Sequence, residues 1–135
     1  MRIIKQTSIF AFLIIINFAY SQKTWLPVTT SFKPKEKTFM AIHTNNTIWI
    51  KKVSESTEVY VNQKKQIIDG YQLLLFKIDC ENRKLGLLQV ATYDKKGEVV
   101  QSAKLKDYEI EMEYVIPDSV GETYLDTYCN LPLIE

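Results

Sequence analysis

The sequence predicts an α+β domain, an antiparallel sheet of about six strands with a C-terminal helix packed on one face and tethered by a disulfide. Three features of the chain point there. Apolar residues alternate with polar ones at period two through the centre of the sequence. Near the C-terminus the period changes to that of a helix, directly after a helix-start motif. The two cysteines, Cys80 and Cys129, fall one on each of the apolar faces so defined.

The chain opens with Met1-Arg2-Ile3-Ile4-Lys5, then the unbroken apolar run Ile9 to Ile16, then the small residues Ala19 and Ser21 flanking Tyr20. This is the charged, apolar and small-x-small order of an export signal, so residues 1–21 read as a cleavable signal peptide and 22–135 as a single domain. Asn17 and Ser21 interrupt the apolar run before it reaches the roughly 20 residues a spanning helix needs, so no transmembrane segment is expected in the mature chain. No cysteine stands beside the cut, which argues against lipid anchoring.

Removing Arg2 and Lys5 leaves 15 bases against 16 acids, a net of −1, which lacks the basic excess that nucleic acid demands. Lysines cluster at Lys33, Lys35 and Lys37, and again at Lys51, Lys52, Lys64 and Lys65; a solvated face accounts for them.

Taken in order, Trp25 to Thr29 is a first strand, placed at an edge by Pro27, and so able to pair between subunits in a homodimer. Ser31 to Lys37 is a turn, and Thr38 to His43 a second strand. Thr44-Asn45-Asn46 turns the chain, and those residues also spell a glycosylation sequon with Thr47. Thr47 to Val53 is a β-branched and aromatic third strand. From Ser54 to Gly70 the pattern lapses and reads as a long connection, the place where a binding loop would sit. Tyr71 to Cys80 carries Leu74, Phe76, Ile78 and Cys80 on one face, with Lys77 and Asp79 on the other. Arg83 to Tyr93 runs back, Asp94 to Gly97 is a hairpin connection, and Glu98 to Leu105 follows. Tyr108 to Ile116 reads as the last strand, with Asp107, Glu109, Glu111 and Glu113 on its solvent side and Tyr108, Ile110, Met112 and Tyr114 inside.

Pro117 ends the sheet, and Ser119 with Glu122 forms a capping box, the serine hydroxyl accepting from the Glu122 amide and the carboxylate reaching back to the serine amide. In the helix beyond it, Val120, Tyr124 and Tyr128 form a stripe with Leu125 and Cys129 beside it. An even cysteine count in an exported protein favours a bridge. A Cys80–Cys129 disulfide would pin the helix to the sheet.

The run Tyr71 to Phe76, Lys77-Ile78-Asp79-Cys80 and Arg83, then Tyr93-Asp94 with Gly97, then Ile116-Pro117-Asp118-Ser119-Val120-Gly121-Glu122 and Cys129, resembles the surface-adhesin protein E family of bacteria. Trp25 stands where that family has an early tryptophan, while Met112 or Tyr114 stands where relatives carry another, and residues 54–70 have no aligned counterpart. The resemblance implies an antiparallel sheet with a disulfide-tethered helix, an envelope location, and adhesion to extracellular host proteins.

Chemistry finds little purchase. The single histidine, His43, allows no multi-histidine metal site, the glycines at 70, 86, 97 and 121 make no phosphate loop, and the cysteines serve the bridge. No catalytic residue, metal or cofactor is therefore expected. Arg83 reads as a ligand contact or as the partner of Glu81. The expected function is an exported, non-enzymatic, adhesin-like binding module for host or matrix proteins, its ligand-binding residues unassigned. A periplasmic accessory domain that assembles with envelope proteins is the alternative.

Overall fold

A computed structural model of the chain describes residues 23–28 and 35–131, so the export segment and its cleavage site lie outside the described residues. Six strands follow one another as a meander: β1 Leu26–Val28, β2 Lys37–Thr44, β3 Thr47–Val61, β4 Lys64–Asp79, β5 Lys84–Asp94 and β6 Val99–Lys104. Every sequential pair is antiparallel, and the spatial order equals the chain order. A single-turn 3-10 helix, Asp107–Glu109, leads to the two-residue β7, Glu113–Tyr114, and helix α1 spans Val120–Cys129.

The expected connection from Ser54 to Gly70 is instead the outer arm of a long β3–β4 hairpin. Two physical features hide it in the sequence. Both faces of the arm mix polar and apolar residues, and a bulge between Ser54 and Thr57 shifts the alternation out of phase. Ser54 closes that bulge, its Oγ accepting from the Ser56 amide at 3.1 Å and its carbonyl accepting from Thr57 Oγ1 at 3.2 Å. The turn itself is Asn62-Gln63, with φ of 51° and 65°, the double left-handed geometry that matches strand twist. Val59 in this arm is fully buried.

The expected last strand also shortens. β6 already pairs with β5 across Gln89–Tyr93, with Leu105 bonded to the Leu88 carbonyl, and β7 pairs only with Lys84 and Leu85 at the start of that edge. Residues 107–112 therefore wind over the surface. Tyr108 and Tyr114 point outward, 80% and 72% exposed, where the alternation had put them inside.

One face of the sheet carries the core. Register sets Ile50 opposite Leu74 and Ile48 opposite Phe76, with Met40 beyond Ile50. Helix α1 lays Tyr124 and Leu125 onto this face, where Met40, Ile48, Ile50 and Leu125 have no exposed surface. Burying a side chain such as Leu125 contributes about 1.5–3 kcal/mol.

The helix start is capped by Ser119, whose Oγ accepts from the Glu122 amide at 3.2 Å. The Glu122 carboxylate accepts from the Asp118 amide at 3.3 Å, while the Ser119 amide donates to the Ile116 carbonyl. The reciprocal arm of the motif thus lands one residue earlier than the sequence suggests.

Cys80, just past β4, is bonded to Cys129 in the last turn of α1, with Cα atoms 5.8 Å apart. Arg83 adds a polar clamp, reaching Asp126 at 3.0 Å and Glu122 at 3.5 Å rather than Glu81. It can do so because it sits at φ 54° in the β4–β5 turn.

Candidate functional site

Among the described residues α1 covers one face only, and no helix lies on the other face of the sheet. Odd-numbered residues of β4 define it: Tyr71, Leu73, Leu75 and Lys77. Register adds Lys51 beside Leu73, Trp49 beside Leu75 and Tyr93 beside Tyr71. Lys104 joins through Gln89, which itself lies opposite Leu75. The residues that build this face come from β3, β4, β5 and β6, so no short stretch of chain announces it.

The aromatic side chains form two groups on this face. Tyr71 and Tyr93 stack at 4.7 Å between ring centroids, and His43 meets Trp49 edge-on at 5.9 Å. Lys51 lies over Tyr71 at 4.6 Å and over Trp25 at 5.6 Å, while Lys23 lies 5.0 Å from the Trp49 ring. The rings of Trp25, Trp49, Tyr71 and Tyr93, with Leu73 and Leu75, are half-buried, whereas His43, Lys77 and Lys104 are exposed. Gly70 lets β5 approach at the rim: a Cβ there would stand 2.0 Å from the Tyr93 carbonyl oxygen.

Charged residues of both signs lie on both sides of the sheet, and the total is near zero. Among the described residues the ion pairs join Lys65 to Glu58, Arg83 to Glu122 and Asp126, and Lys95 to Asp69. None of Lys51, Lys77 and Lys104 takes part. Glu109, Glu111 and Glu113 line a cleft of about 390 Å³ on the helix side, floored by Phe76, Leu85 and Leu87, whereas Asp69 and Glu58 fall on the opposite side by strand register. The lysine clusters seen in the sequence are thus divided between faces. Lys51 stacks on the open face, whereas Lys52 lies 6.0 Å from the ring of Tyr124 on the helix side.

A second, larger cleft of about 950 Å³ lies beside the disulfide, between Leu26, Ile42, Ile78, Met112 and Tyr128. Asp79 borders it, but its carboxylate is engaged in the turn, accepting from the Asn82 side chain at 2.8 Å and the Asn82 amide at 3.0 Å. Those two hydrogen bonds, the side-chain one first, hold its pKa below the usual carboxylate value. Burial, with a smaller contribution from Glu36, pushes the Tyr124 phenol upward, and the hydrogen bond to Glu58 raises Lys65. Each shift has a structural cause. Among the described residues no group of three His, Cys, Asp or Glu side chains is placed to hold a metal ion, and no helix is long and apolar enough to cross a membrane.

The disulfide and helix-cap residues singled out in the sequence lie away from this face. Cys80, Cys129, Ser119 and Glu122 fasten and cap the helix, while Trp25, His43 and Lys51 reach the aromatic surface. What the sequence reading missed was the second set of the β4 alternation. Leu74, Phe76 and Ile78 locate the core, and Tyr71, Leu73 and Leu75 mark an equally apolar opposite side.

Comparison with known families matches residues 25–130 to the family described as Surface-adhesin protein E. No curated protein and no solved structure matches the chain significantly.

Proposed function

The chain belongs to the surface-adhesin protein E family, and from that premise we propose that it is an exported, non-enzymatic, adhesin-like module binding extracellular host or matrix proteins. Processing after Ser21 releases a single domain from Gln22 to Glu135, which oxidises at its destination to close the Cys80–Cys129 bridge.

The observation that carries this reading is the one-sided sheet. This face carries half-buried aromatic rings and lysines that make no ion pair among the described residues, while α1 packs on the opposite face. Aromatic residues are the side chains that anchor interfaces, because each removes a large rigid area from water.

Protease treatment of intact cells tests the reading, alongside adherence of expressing cells to matrix-coated plates. Cleavage of the protein on whole cells together with adherence that depends on it is the expected result. Full protection, with release by osmotic shock in complex with envelope proteins, would assign it instead to the periplasmic accessory role.

A further inference from the structure

We propose that the cleft between residues 109–116 and the start of α1 docks an extended, amphipathic basic segment of a partner protein. Its apolar side chains descend to the floor of Phe76, Leu85 and Leu87, and its alternate arginine or lysine side chains meet Glu109, Glu111 and Glu113 at the rim. The site lies on the helix side, so the inference goes beyond the open-face reading and stands independently of it.

Three observations combine. The first is exposed apolar surface beside a concavity. Tyr114 and Ile116 border the cleft, and each is 72% exposed. Large side chains left in water around an apolar hollow are the groups that anchor a partner.

The second is charge. The three glutamates are exposed, no lysine or arginine lines the cleft, and none of the three joins an ion pair among the described residues. Glu109 accepts a long hydrogen bond from the Lys106 amide at 3.4 Å, which leaves its charge unneutralised. The neighbouring cations are placed elsewhere. Arg83 is held by Glu122 and Asp126, Lys84 lies 4.5 Å from the Tyr114 ring and Lys106 lies 5.7 Å from that of Tyr108. Nucleic acid and anionic lipid carry the wrong sign for such a rim.

The third is spacing. The acids do not converge on a point, since among the described residues no three such side chains are placed to hold a metal ion. They recur at every second residue instead. An extended chain repeats its side chains on one face every two residues as well, a step of about 6.5–7 Å. A partner strand that alternates basic and apolar residues thus matches the rim with one face and the floor with the other, the apolar-centre and polar-rim arrangement of protein interfaces.

The test is titration of the oxidised mature domain with a labelled octapeptide alternating arginine and leucine. An arginine–glycine octapeptide of equal charge and a glutamine–leucine octapeptide serve as comparison probes. Salt-sensitive binding at least tenfold tighter than either comparison is the expected outcome. Glu111→Gln/Glu113→Gln weakens it at least about fivefold, through loss of two solvent-facing ion pairs. Ile116→Ser, at an exposed position, weakens it at least about tenfold as an interface anchor. Thermal melts establish that each variant is folded, and Lys51→Gln on the other face leaves the affinity unchanged. Equal affinity for the arginine–glycine peptide would reduce the cleft to a diffuse acidic patch, and equal affinity for the glutamine–leucine peptide would remove the carboxylates from recognition; each overturns the inference. So do no binding, unchanged binding in either intact variant, or a loss in Lys51→Gln as large as in the glutamate variant. Sedimentation of the free domain adds a last arm: a dimer that dissociates in Ile116→Ser would assign the cleft to a second copy of the chain and overturn the basic segment as its occupant.

Discussion

Replacing Cys80 and Cys129 together by serine removes the covalent tie between α1 and the sheet. The bridge spans a sequence separation of 49, and closing a loop of that length restricts the unfolded chain by about 4 kcal/mol in the chain-entropy model. The non-covalent hold on the helix is of similar size. Tyr124 and Leu125, 3% and 0% exposed, contribute about 1.5–3 kcal/mol each by burial. The Arg83 pairs with Glu122 and Asp126 are half-exposed and add no more than about 1 kcal/mol. Against a usual total of about 5–15 kcal/mol for a domain, the bridge is a major share. Urea unfolding of the mature domain, followed by the fluorescence of Trp25 and Trp49, should show the midpoint falling by an amount equivalent to about 4 kcal/mol. The thermal midpoint should drop by roughly 12–25 °C. An unchanged midpoint at unchanged slope would refute the reasoning. So would a two-step curve in which the sheet outlives the helix, because the entropy estimate assumes that both unfold as one unit.

Four further outcomes follow from the same structure. Leu125→Ala empties a fully buried site beneath the helix and should cost about 2–5 kcal/mol in denaturant melts. Gln63→Gly relieves a non-glycine residue held at φ 65° and should stabilise by about 1 kcal/mol, read from the same melts. Gly70→Ala forces a methyl group against the Tyr93 carbonyl, and hydrogen exchange should quicken along the β4–β5 pairing relative to the wild type. Asp79 has a folded pKa below its unfolded value near 4, so its contribution is present above that value and is lost as pH falls through the folded pKa. Melts at pH 6 and at pH 3 should therefore differ less for Asp79→Asn than for the wild type.

Local patterns were readable wherever a segment has one buried face and one wet face. The even-numbered residues of β4, from Leu74 to Ile78, showed their side through strict alternation, and α1 showed its own through the spacing of Val120, Tyr124 and Tyr128. The β3–β4 arm defeated the same reasoning because Glu58, Lys64 and Lys65 are interspersed with Val59, Tyr60 and Ile67 on its two sides and the bulge resets the count. Residues 108–116 misled it in the opposite direction: a perfect alternation exists, but β6 occupies most of the β5 edge that such a strand would need.

The sequence by itself determined the export pattern, the sheet-plus-helix class, the capped start of α1 and the two cysteines that meet, because each depends on neighbours in the chain or on a face defined by local period. Only the tertiary structure decided where strands end and what the uncovered side of the sheet displays. Those follow from hydrogen-bonding capacity at strand edges and from register, which brings Trp49, Lys51, Tyr71, Lys77, Tyr93 and Lys104 onto one surface. Residues so far apart in sequence carry no mutual signal until the strands between them are aligned.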